Sequence, residues 1–439
     1  MRVKKFACFL LCYMASAAAI RAQNAPMLTL KDAVEIALKN NYNIKLTKND
    51  STITRNNVTL GNAGFLPAVS GNLASNNSIQ NTKTERTSGV ITSFNNSHNT
   101  SISYGVGLNW TIFNGFAMFA NYDQLKTLDR LSSITSRDTV LQMLNSVIGT
   151  YYNLINQNEI LKSLRGAMRI SRTQLRYAND KFGVGTASRL DVLNAEVNLN
   201  TDTANYLTQL QQFKTTKIQL NQLMVRDLQT DFTVADTIIV DDKLVLGDII
   251  NKADNQNTKI LSSQISKQLA EINLRQVKST RYPQVAVNTG YNFSNSSSPS
   301  GALISQDAHG LNYGLTASIN IFNGFNQSRR ETNAKIQIDN SEIIAKQVRL
   351  NIEAQINSLY VSYLSGLDLT KLGLENIAVA KHNLDISLEK YRLGNITPLE
   401  IRQAEENYLD AQAKFFAAQY QAKAAEVTLK QITNNITIQ

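Results

Sequence analysis

The sequence predicts a mainly α-helical fold with a smaller β-stranded portion, repeated twice along the chain. Two pairs of similar segments support the repeat, KFGVGTASRLDVLNAE with KYRLGNITPLEIRQAE and YGVGLNWTIFNGF with YGLTASINIFNGF. The first pair begins at Lys181 and Lys390 and the second at Tyr104 and Tyr313, an offset of 209 residues in each case. Because the offset is constant, both halves carry the same order of elements. That order is a short helix, a strand, a polar loop, a strand, a very long helix, a glycine turn and a helix.

The N-terminal segment has the layout of a cleaved secretory signal peptide. Three basic residues come first, Arg2, Lys4 and Lys5, and an apolar run from Phe6 to Ile20 follows. A membrane anchor is the alternative, but the run is shorter than the roughly 20 apolar residues that a spanning helix needs. We therefore expect residues 1–22 to be removed as a signal peptide.

Removal of this segment leaves a chain without cysteine and with a moderate positive charge. Cys8 and Cys12 are the two cysteines of the sequence, so disulfides and thiolate metal sites are excluded from the mature chain. The formal net charge of +10 falls to +6, because residues 1–22 contain four basic residues and no acidic ones. This charge does not indicate nucleic acid as a partner. Beyond residue 22, no uninterrupted apolar stretch has the length of a transmembrane helix.

Long helices are expected because prolines and glycines are few. The chain has five prolines and 20 glycines, and residues 116–182 contain no proline. A continuous helix over that range would be about 100 Å long at ~1.5 Å per residue. Part of it has apolar residues at heptad spacing, namely Leu141, Leu144, Ile148, Tyr151 and Ile155. This spacing is typical of helices that pack in a supercoil.

The last helix has a stricter seam that is rich in small residues. Its seam positions alternate steps of four and three, and five of the nine are alanine: Ala404, Tyr408, Ala411, Phe415, Ala418, Ala422, Ala425, Leu429 and Ile432. Small seam residues allow two helix axes to approach closely. We therefore expect tight helix pairing in this part of the chain.

Four short segments alternate apolar and polar residues with a period of two, as strands with two different faces do. The segments are 66–73, 102–112, 285–293 and 311–321. Stretches rich in Asn, Ser and Thr separate the members of each pair, at 74–100 and 294–310, and are predicted as long loops. Each half thus offers one hairpin.

The faces of these strands favour a membrane barrel over the alternative, a pair of hairpins in water that pack on helices. Gly, Ser, Thr and Asn on one face suit a water-filled lumen, and Tyr104, Trp110 and Tyr313 on the other face suit the lipid interface. Lipid excludes open sheet edges, and the smallest bacterial barrels have about eight strands. Because one chain has four, the predicted barrel is shared between chains.

Together these residues resemble the TolC family of outer-membrane efflux ducts. The matching segments are LTLKDA at 28–33, IFNGF where strand passes into helix, and the glycine turns followed by an acid, Val or Ile, and Ala three residues later. The resemblance extends from Leu28 to Ile432. It implies a homotrimer whose four strands per chain form a twelve-strand barrel in the outer membrane, on a long periplasmic α-helical barrel. It also implies a mixed α/β belt around the helical barrel.

The resemblance implies a passive exit duct for small molecules in a tripartite efflux system. Its partners would be a periplasmic adaptor protein, an inner-membrane transporter and outer-membrane lipid. Two alternatives stay open, a conduit for type I protein secretion and a periplasmic coiled-coil adaptor or scaffold. The implied division of the chain is a first repeat at 23–225, an equatorial connection at 226–250 and a second repeat at 251–439.

The two glycine turns are predicted helix ends. Gly183-Val184-Gly185 indicates a helix stop with positive φ at a glycine, followed by Thr186 or Ser188 as the next N-cap. Thr397-Pro398 indicates an N-cap with proline at the first helical position. The resemblance further implies that the turns dock the adaptor at the periplasmic tip, through Val184, Gly185, Thr186, Leu393, Gly394 and Asn395.

Two acids occupy equivalent places after these turns. Asp191 and Glu400 each lie six residues beyond a glycine, Gly185 and Gly394. A carboxylate near a helix N-terminus stabilises the helix by roughly 0.3 to 1 kcal/mol, which by itself explains both residues. The resemblance implies a second role, in which Asp191, Glu400 and Tyr391 belong to the closed periplasmic aperture.

The chain departs from the family pattern at this aperture. Ile396 stands where the family pattern has an arginine, and Gln403 stands where it has a second acid. Arg189 or Arg402 could supply the missing positive charge.

No feature of the sequence predicts an enzyme. His98, His309 and His382 are the three histidines, and the first two fall in predicted loops, so no His or Cys cluster has metal-ligand spacing. The glycine turns lie between helices, whereas a phosphate-binding glycine loop follows a strand. We therefore expect no catalytic residue, metal or cofactor.

Overall fold

A computed structural model describes residues 26–300 and 304–436, so the predicted signal peptide lies outside the described residues. The helices are α1 Leu30–Asn40, α2 Tyr42–Asn56, α3 Leu60–Ala63, α4 Ala117–Gly183, α5 Arg189–Met224, α6 Leu246–Gln256, α7 Thr258–Ser279, α8 Asn326–Arg392 and α9 Pro398–Ile432. The strands are β1 Ala68–Glu85, β2 Ile91–Asn114, β3 Gln284–Ser297 and β4 Ser305–Ser318. Within these ranges, no helix combines the length and apolar character that crossing a membrane requires.

The chain forms two compact units, and each draws on both predicted repeats. Among the described residues, one unit contains 26–48, 135–261 and 348–436. The other contains Asn49–Ile134 and Ser262–Gln347, which include the four strands. The candidate functional residues all lie in the first unit.

The predicted long helices are confirmed. The helix expected at 116–182 is α4, which has 67 residues, and α8 has the same length. α8 begins 209 residues after α4, and α9 begins 209 residues after α5. The two halves of the chain therefore place their long helices and glycine turns at equal spacing.

Tight packing of α8 on α9 confirms the seam predicted for the last helix. The alanines Ala404, Ala411, Ala418, Ala422 and Ala425 are all buried. A Cβ added at Gly366 of α8 would lie 2.8 Å from the Cβ of Ala422, and one at Gly373 would lie 3.2 Å from the Cβ of Phe415. Small residues on both helices thus allow the two backbones to approach closely.

Replacing Gly366 by alanine is expected to destabilise the protein, although alanine is the better helix former. The added methyl group would meet the backbone of Ala422 at 2.9 Å, and overpacking costs typically 1–3 kcal/mol. Gly149 of α4 is the matched control, because an added Cβ there meets nothing within 4 Å and Gly149→Ala gains up to about 1 kcal/mol of helix propensity. Thermal unfolding should show a lower midpoint for Gly366→Ala and an equal or higher one for Gly149→Ala. Equal midpoint shifts would contradict the close approach.

The four strands form one antiparallel sheet in the order β1-β2-β3-β4. Its register confirms the predicted faces. Val106 pairs with Tyr291, which pairs with Leu311, while Trp110 lies in line with Val287 and Leu315. The rings of Tyr104 and Phe293 stack at 5.0 Å on the same face. Asn109, Asn288 and Gly314 align on the opposite face, which is small and polar.

The strands are longer than the sequence predicts, and the predicted loops are wrong. β1 and β2 pair through most of the range 74–100, as far as Glu85 and Ile91, with one shift of register between Gln80 and Thr82. β3 and β4 likewise extend to Ser297 and Ser305, into the range 294–310. The period-two pattern fails there because both faces are polar, whereas the backbone hydrogen bonds of a ladder do not depend on apolar side chains.

Two further placements also need correction. β4 ends at Ser318, which pairs with Gln284, so residues 319–321 are not part of the strand. On the neighbouring strand, Gln284 is preceded by Pro283, which has no amide hydrogen and cannot extend the ladder. His98 and His309 lie in β2 and β4 rather than in loops.

The connection at 226–245 has little regular structure and is held by α9 and α8. Met27 and Thr233 form a parallel bridge. The Asp241 backbone amide donates to Glu426 Oε2 at 3.0 Å, and Lys430 Nζ donates to the Asp241 carboxylate at 3.0 Å. α6 begins at Leu246, inside the predicted 226–250 segment.

Candidate functional site at the glycine turns

The turn after α4 is a Schellman motif centred on Gly185. Gly185 has φ of +78° and its amide donates to the Phe182 carbonyl at 3.0 Å. The Thr186 amide donates to the Lys181 carbonyl at 2.8 Å, which completes the motif. Positive φ favours glycine because it has no Cβ. The prediction of positive φ in this turn is confirmed at Gly185, whereas Gly183 is the last residue of α4.

The turn after α8 repeats this geometry. Gly394 has φ of +81° and its amide donates to the Tyr391 carbonyl at 3.1 Å. The Asn395 amide donates to the Lys390 carbonyl at 2.8 Å. The two turns therefore satisfy the last carbonyls of α4 and α8 in the same way.

Each following helix begins with a capping box that uses the predicted acid. The Asp191 amide donates to Ser188 Oγ at 3.2 Å, and Asp191 Oδ2 accepts from the Ser188 amide at 2.9 Å. The Thr397 amide likewise donates to Glu400 Oε2 at 2.7 Å. Ser188 rather than Thr186 is thus the N-cap of α5, and Pro398 follows the N-cap of α9 as predicted.

These caps keep both carboxyl groups ionised at neutral pH. The hydrogen bond from the Ser188 amide lowers the pKa of Asp191, and the one from the Thr397 amide lowers the pKa of Glu400. Neither side chain has an ion-pair partner among the residues that the structure describes. Two negative charges therefore lie beside the turns, and the positive charge of Lys390 also contributes to the lowered pKa of Glu400.

Tyr391 links the ends of α4 and α8 through Lys181, a residue that the sequence did not single out. Lys181 Nζ donates to the Tyr391 carbonyl at 2.8 Å and lies 4.6 Å from the centre of the tyrosine ring. Burial raises the pKa of the Tyr391 hydroxyl, and the charge of Asp191 adds to this effect. The structure thus brings Tyr391 and Asp191 into electrostatic contact. In sequence, Lys181 is a cation in the last turn of a helix, which is a common feature and does not by itself indicate a site.

Apolar side chains at the turns are exposed to solvent. Val184 is 75% exposed and Leu393 is 66% exposed. Leu190 and Leu399, at the starts of α5 and α9, are exposed as well. Such a cluster at the end of a helical hairpin marks a surface that a partner can cover.

Arg402, one of two candidates for the missing positive charge, faces other acids. Its Nη1 donates to both carboxylate oxygens of Asp202 at 2.9 Å, and its Nε donates to Glu406 at 2.8 Å. Asp202 and Glu405 are buried, and the sequence did not predict a role for either. A signal existed, because Asp202 continues the α5 seam of Val192, Ala195 and Leu199 in steps of three and four.

In residues 26–300 and 304–436, no three His, Cys, Asp or Glu side chains are grouped as metal ligands would be. The arrangement offers exposed backbone, apolar contacts and fixed negative charge, which can bind a protein surface and attract cations.

Comparison with known proteins identifies the family. The sequence profile of the outer membrane efflux protein family matches residues 33–225 and 249–435. The chain is 20% identical over 424 residues to the outer membrane efflux protein BepC of Brucella suis, covering 96% of this chain and 89% of that protein. It is 20% identical over 293 residues to the outer membrane protein TolC of Escherichia coli, covering 64% of this chain and 59% of that one.

Solved structures share the fold. The Campylobacter jejuni CmeC outer membrane channel matches with a TM-score of 0.79 at 17% identity, covering 92% of this chain and 85% of that one. The outer membrane protein VceC of Vibrio cholerae matches with a TM-score of 0.74 at 13% identity, covering 92% and 95%. The mainly helical fold with a four-strand antiparallel sheet is therefore that of TolC-like channels, as the sequence predicts. The chain is an outer-membrane protein and belongs to the outer membrane efflux protein family.

Proposed function

We propose that this protein is the trimeric exit duct of a tripartite efflux system, which lets small molecules leave through the outer membrane without supplying energy itself. The observation that carries the proposal is the sheet register, which gathers the apolar residues of all four strands on one face. A sheet with one apolar and one small, polar face fits the wall of a water-filled membrane barrel. Family membership supports the efflux role.

Three copies would close the barrel. β1 and β4 stand at the two ends of the sheet order, so β4 of one copy can pair with β1 of the next. Closure by three copies gives twelve strands and leaves no edge in lipid. The first repeat at 23–225 and the second at 251–439 would then each contribute two strands per copy, and residues 226–250 would form part of a belt around the helices.

The glycine turns would be the periplasmic tip and would dock the adaptor. Exposed Val184 and Leu393 offer apolar contact, while Gly185 and Gly394 let a partner helix approach the backbone closely. Thr186 and Asn395 complete the docking surface. The inner-membrane transporter would supply the energy and choose the cargo.

Asp191, Glu400 and Tyr391 would form the narrow aperture at this tip. Three copies place six carboxylates around one axis, two from each copy, and rings of one charge favour counter-ions in a constriction. The scaffold alternative loses its support, since the family profile matches across both halves of the chain. A conduit for protein secretion would share this architecture and differ in its cargo.

Planar-bilayer recordings test the proposal. We expect cation preference and block by multivalent cations, and we expect Asp191→Asn with Glu400→Gln to weaken both. Because hydrogen bonds lower the pKa of both carboxyl groups, the preference should persist to a pH below the ordinary range of Asp and Glu. Gln403→Ala is a control, because its uncharged side chain lies exposed in α9 at the same end. An unchanged selectivity in the double variant would mean that the two acids serve only as helix caps.

A further inference from the structure

A layer of polar side chains interrupts the apolar packing of α4, α5 and α9, a few turns from the tip. Its members are Ser171 and Gln174 of α4, Asp202 of α5, and Arg402 and Glu405 of α9. Glu405 is fully buried, and Ser171, Gln174 and Asp202 are at most 4% exposed. Buried charges are costly unless they are paired and hydrogen-bonded. The layer therefore needs a definite arrangement of hydrogens.

Arg402 and Asp202 form the charged pair of this layer. Arg402 Nη1 lies 2.9 Å from each carboxylate oxygen of Asp202. The same nitrogen lies 3.6 Å from Glu405 Oε2, beyond hydrogen-bond distance. The arginine charge is thus balanced by Asp202, and by the exposed Glu406 through Arg402 Nε.

The hydrogen bonds of Glu405 leave one of its oxygens facing an acceptor. Oε2 accepts from Gln174 Nε2 at 3.2 Å. Oε1 lies 3.4 Å from Ser171 Oγ, and we assign the single hydrogen of this hydroxyl to its much shorter contact with Asp202 Oδ2. A hydroxyl that donates elsewhere can only accept from Glu405. A proton on Glu405 Oε1 therefore completes the chain from Glu405 through Ser171 to Asp202.

The surrounding charges agree with a neutral Glu405. Two buried carboxyl groups face one arginine, so a single negative charge balances the layer. Burial raises the pKa of Glu405 to about 7, and the charge of Asp202 adds to this effect. Other charged groups line the groove of α4, α8 and α9 next to Glu405, namely Glu159, Lys162, Arg169, Lys381 and Asp385.

We propose that Glu405 is a positioning residue of the tip, which in its protonated form holds α9 against α4 and α5 and on losing its proton lets α9 separate from them. Packed α9 keeps the proton up to about pH 7. Separation would expose the carboxyl group to water, where the ordinary pKa is 4.5. Between these two values the packed state binds more protons, so acidification stabilises packing and a pH above 7 favours separation.

By holding α9 in place, protonated Glu405 would also position the aperture. Glu400 lies five residues before Glu405 on α9, so movement of this end of the helix also moves the Glu400 carboxylate. The effect on the aperture rests on the proposed function, whereas the protonation of Glu405 does not. Separate measurements therefore follow the proton and the helix movement.

Infrared titration of the purified full chain reads the proton directly. We expect a protonated carboxyl band that disappears with a midpoint near pH 7 and is absent in Glu405→Gln. Asp202→Asn should lower the midpoint, because it removes a negative charge and frees Arg402 to pair with Glu405. Asp410→Asn is the control, since Asp410 is an exposed carboxylate of α9 that pairs with Lys414. No such band, or the same midpoint in Asp202→Asn, would overturn the protonated assignment.

Spin labels read the helix movement. The mature chain is predicted to lack cysteine, so cysteines introduced at the exposed positions Asn205 of α5 and Ala413 of α9 can be labelled cleanly. The distance between labels should lengthen above pH 7 in the wild type and stay short at every pH in Glu405→Gln. A pH-independent distance in the wild type, with the infrared midpoint intact, would overturn the positioning role. If the same protein shows no cation preference in planar-bilayer recordings, that result would contradict the proposed aperture and not the role of Glu405.

Discussion

Val106→Arg is expected to abolish assembly in the outer membrane. Val106 lies in the second strand of the sheet, in line with Tyr291 and Leu311 on the apolar face. An arginine on the lipid face near the bilayer midplane costs roughly 2–4 kcal/mol. Three copies would each carry this charge, so the cost repeats around the barrel. The amount of trimer in the outer-membrane fraction is the measurement, and Leu315→Arg should behave alike.

Asn109→Arg is the matched control. Asn109 lies on the same strand three residues away, but it aligns with Asn288 and Gly314 on the polar face. A water-filled lumen hydrates an added charge, so this variant should assemble at near wild-type abundance. If both arginines are tolerated, the apolar face does not meet lipid. If both prevent assembly, the sheet tolerates no large side chain, and the result does not show which face meets lipid.

Gly185→Val together with Gly394→Val is expected to abolish export while trimers persist. Both glycines have positive φ, where a β-branched residue is an outlier, at a cost of order 1–3 kcal/mol for each site. The chain itself leaves room, since an added Cβ at Gly185 meets nothing within 4 Å. The loss would therefore arise from a distorted turn and a blocked approach of the adaptor. Drug susceptibility of cells and trimer abundance are the two measurements.

Two controls separate bulk from strain. Gly183→Val adds the same side chain two residues earlier, where φ is not positive and nothing lies within 4 Å. It should retain export. Gly185→Asn adds a side chain that tolerates positive φ, so loss of export there would indicate blocked docking rather than strain. Loss of the trimer in the double valine variant would show that the glycines are needed for folding alone.

The sequence predicted the helical part of this fold closely, because the relevant signals are local. Absence of proline set the extent of α4, and Thr397 with Pro398 marked the start of α9. The ends of the strands depend instead on pairing with neighbouring strands, which local sequence does not reveal. Residues 74–85 are strand because 91–103 lie beside them, and their Asn, Ser and Thr carry no period that reveals it.

The sequence predicted the two turns of the candidate site but not the buried polar layer near them. Gly185 and Gly394 are visible in sequence because positive φ selects glycine. The layer of Asp202, Arg402 and Glu405 joins helices that are about 200 residues apart in the chain, so no local spacing connects them. Lys181 was missed for the same reason, since its contact with Tyr391 exists only after α4 and α8 pack together.

The equal lengths of α4 and α8 limit how this protein can change in evolution. Deleting one residue from α4 would turn every later side chain of the helix by about 100° around its axis and shift it by ~1.5 Å. Ser171 and Gln174 would then leave Glu405, and Lys181 would leave Tyr391, while α8 stayed unaltered. A deletion is tolerated only if it removes whole heptads and if the partner helices lose the same length. We therefore expect relatives of different size to differ by paired heptads in the two halves, with variation of other lengths in segments outside the helices, such as the strand turn at 86–90 and the connection at 226–245.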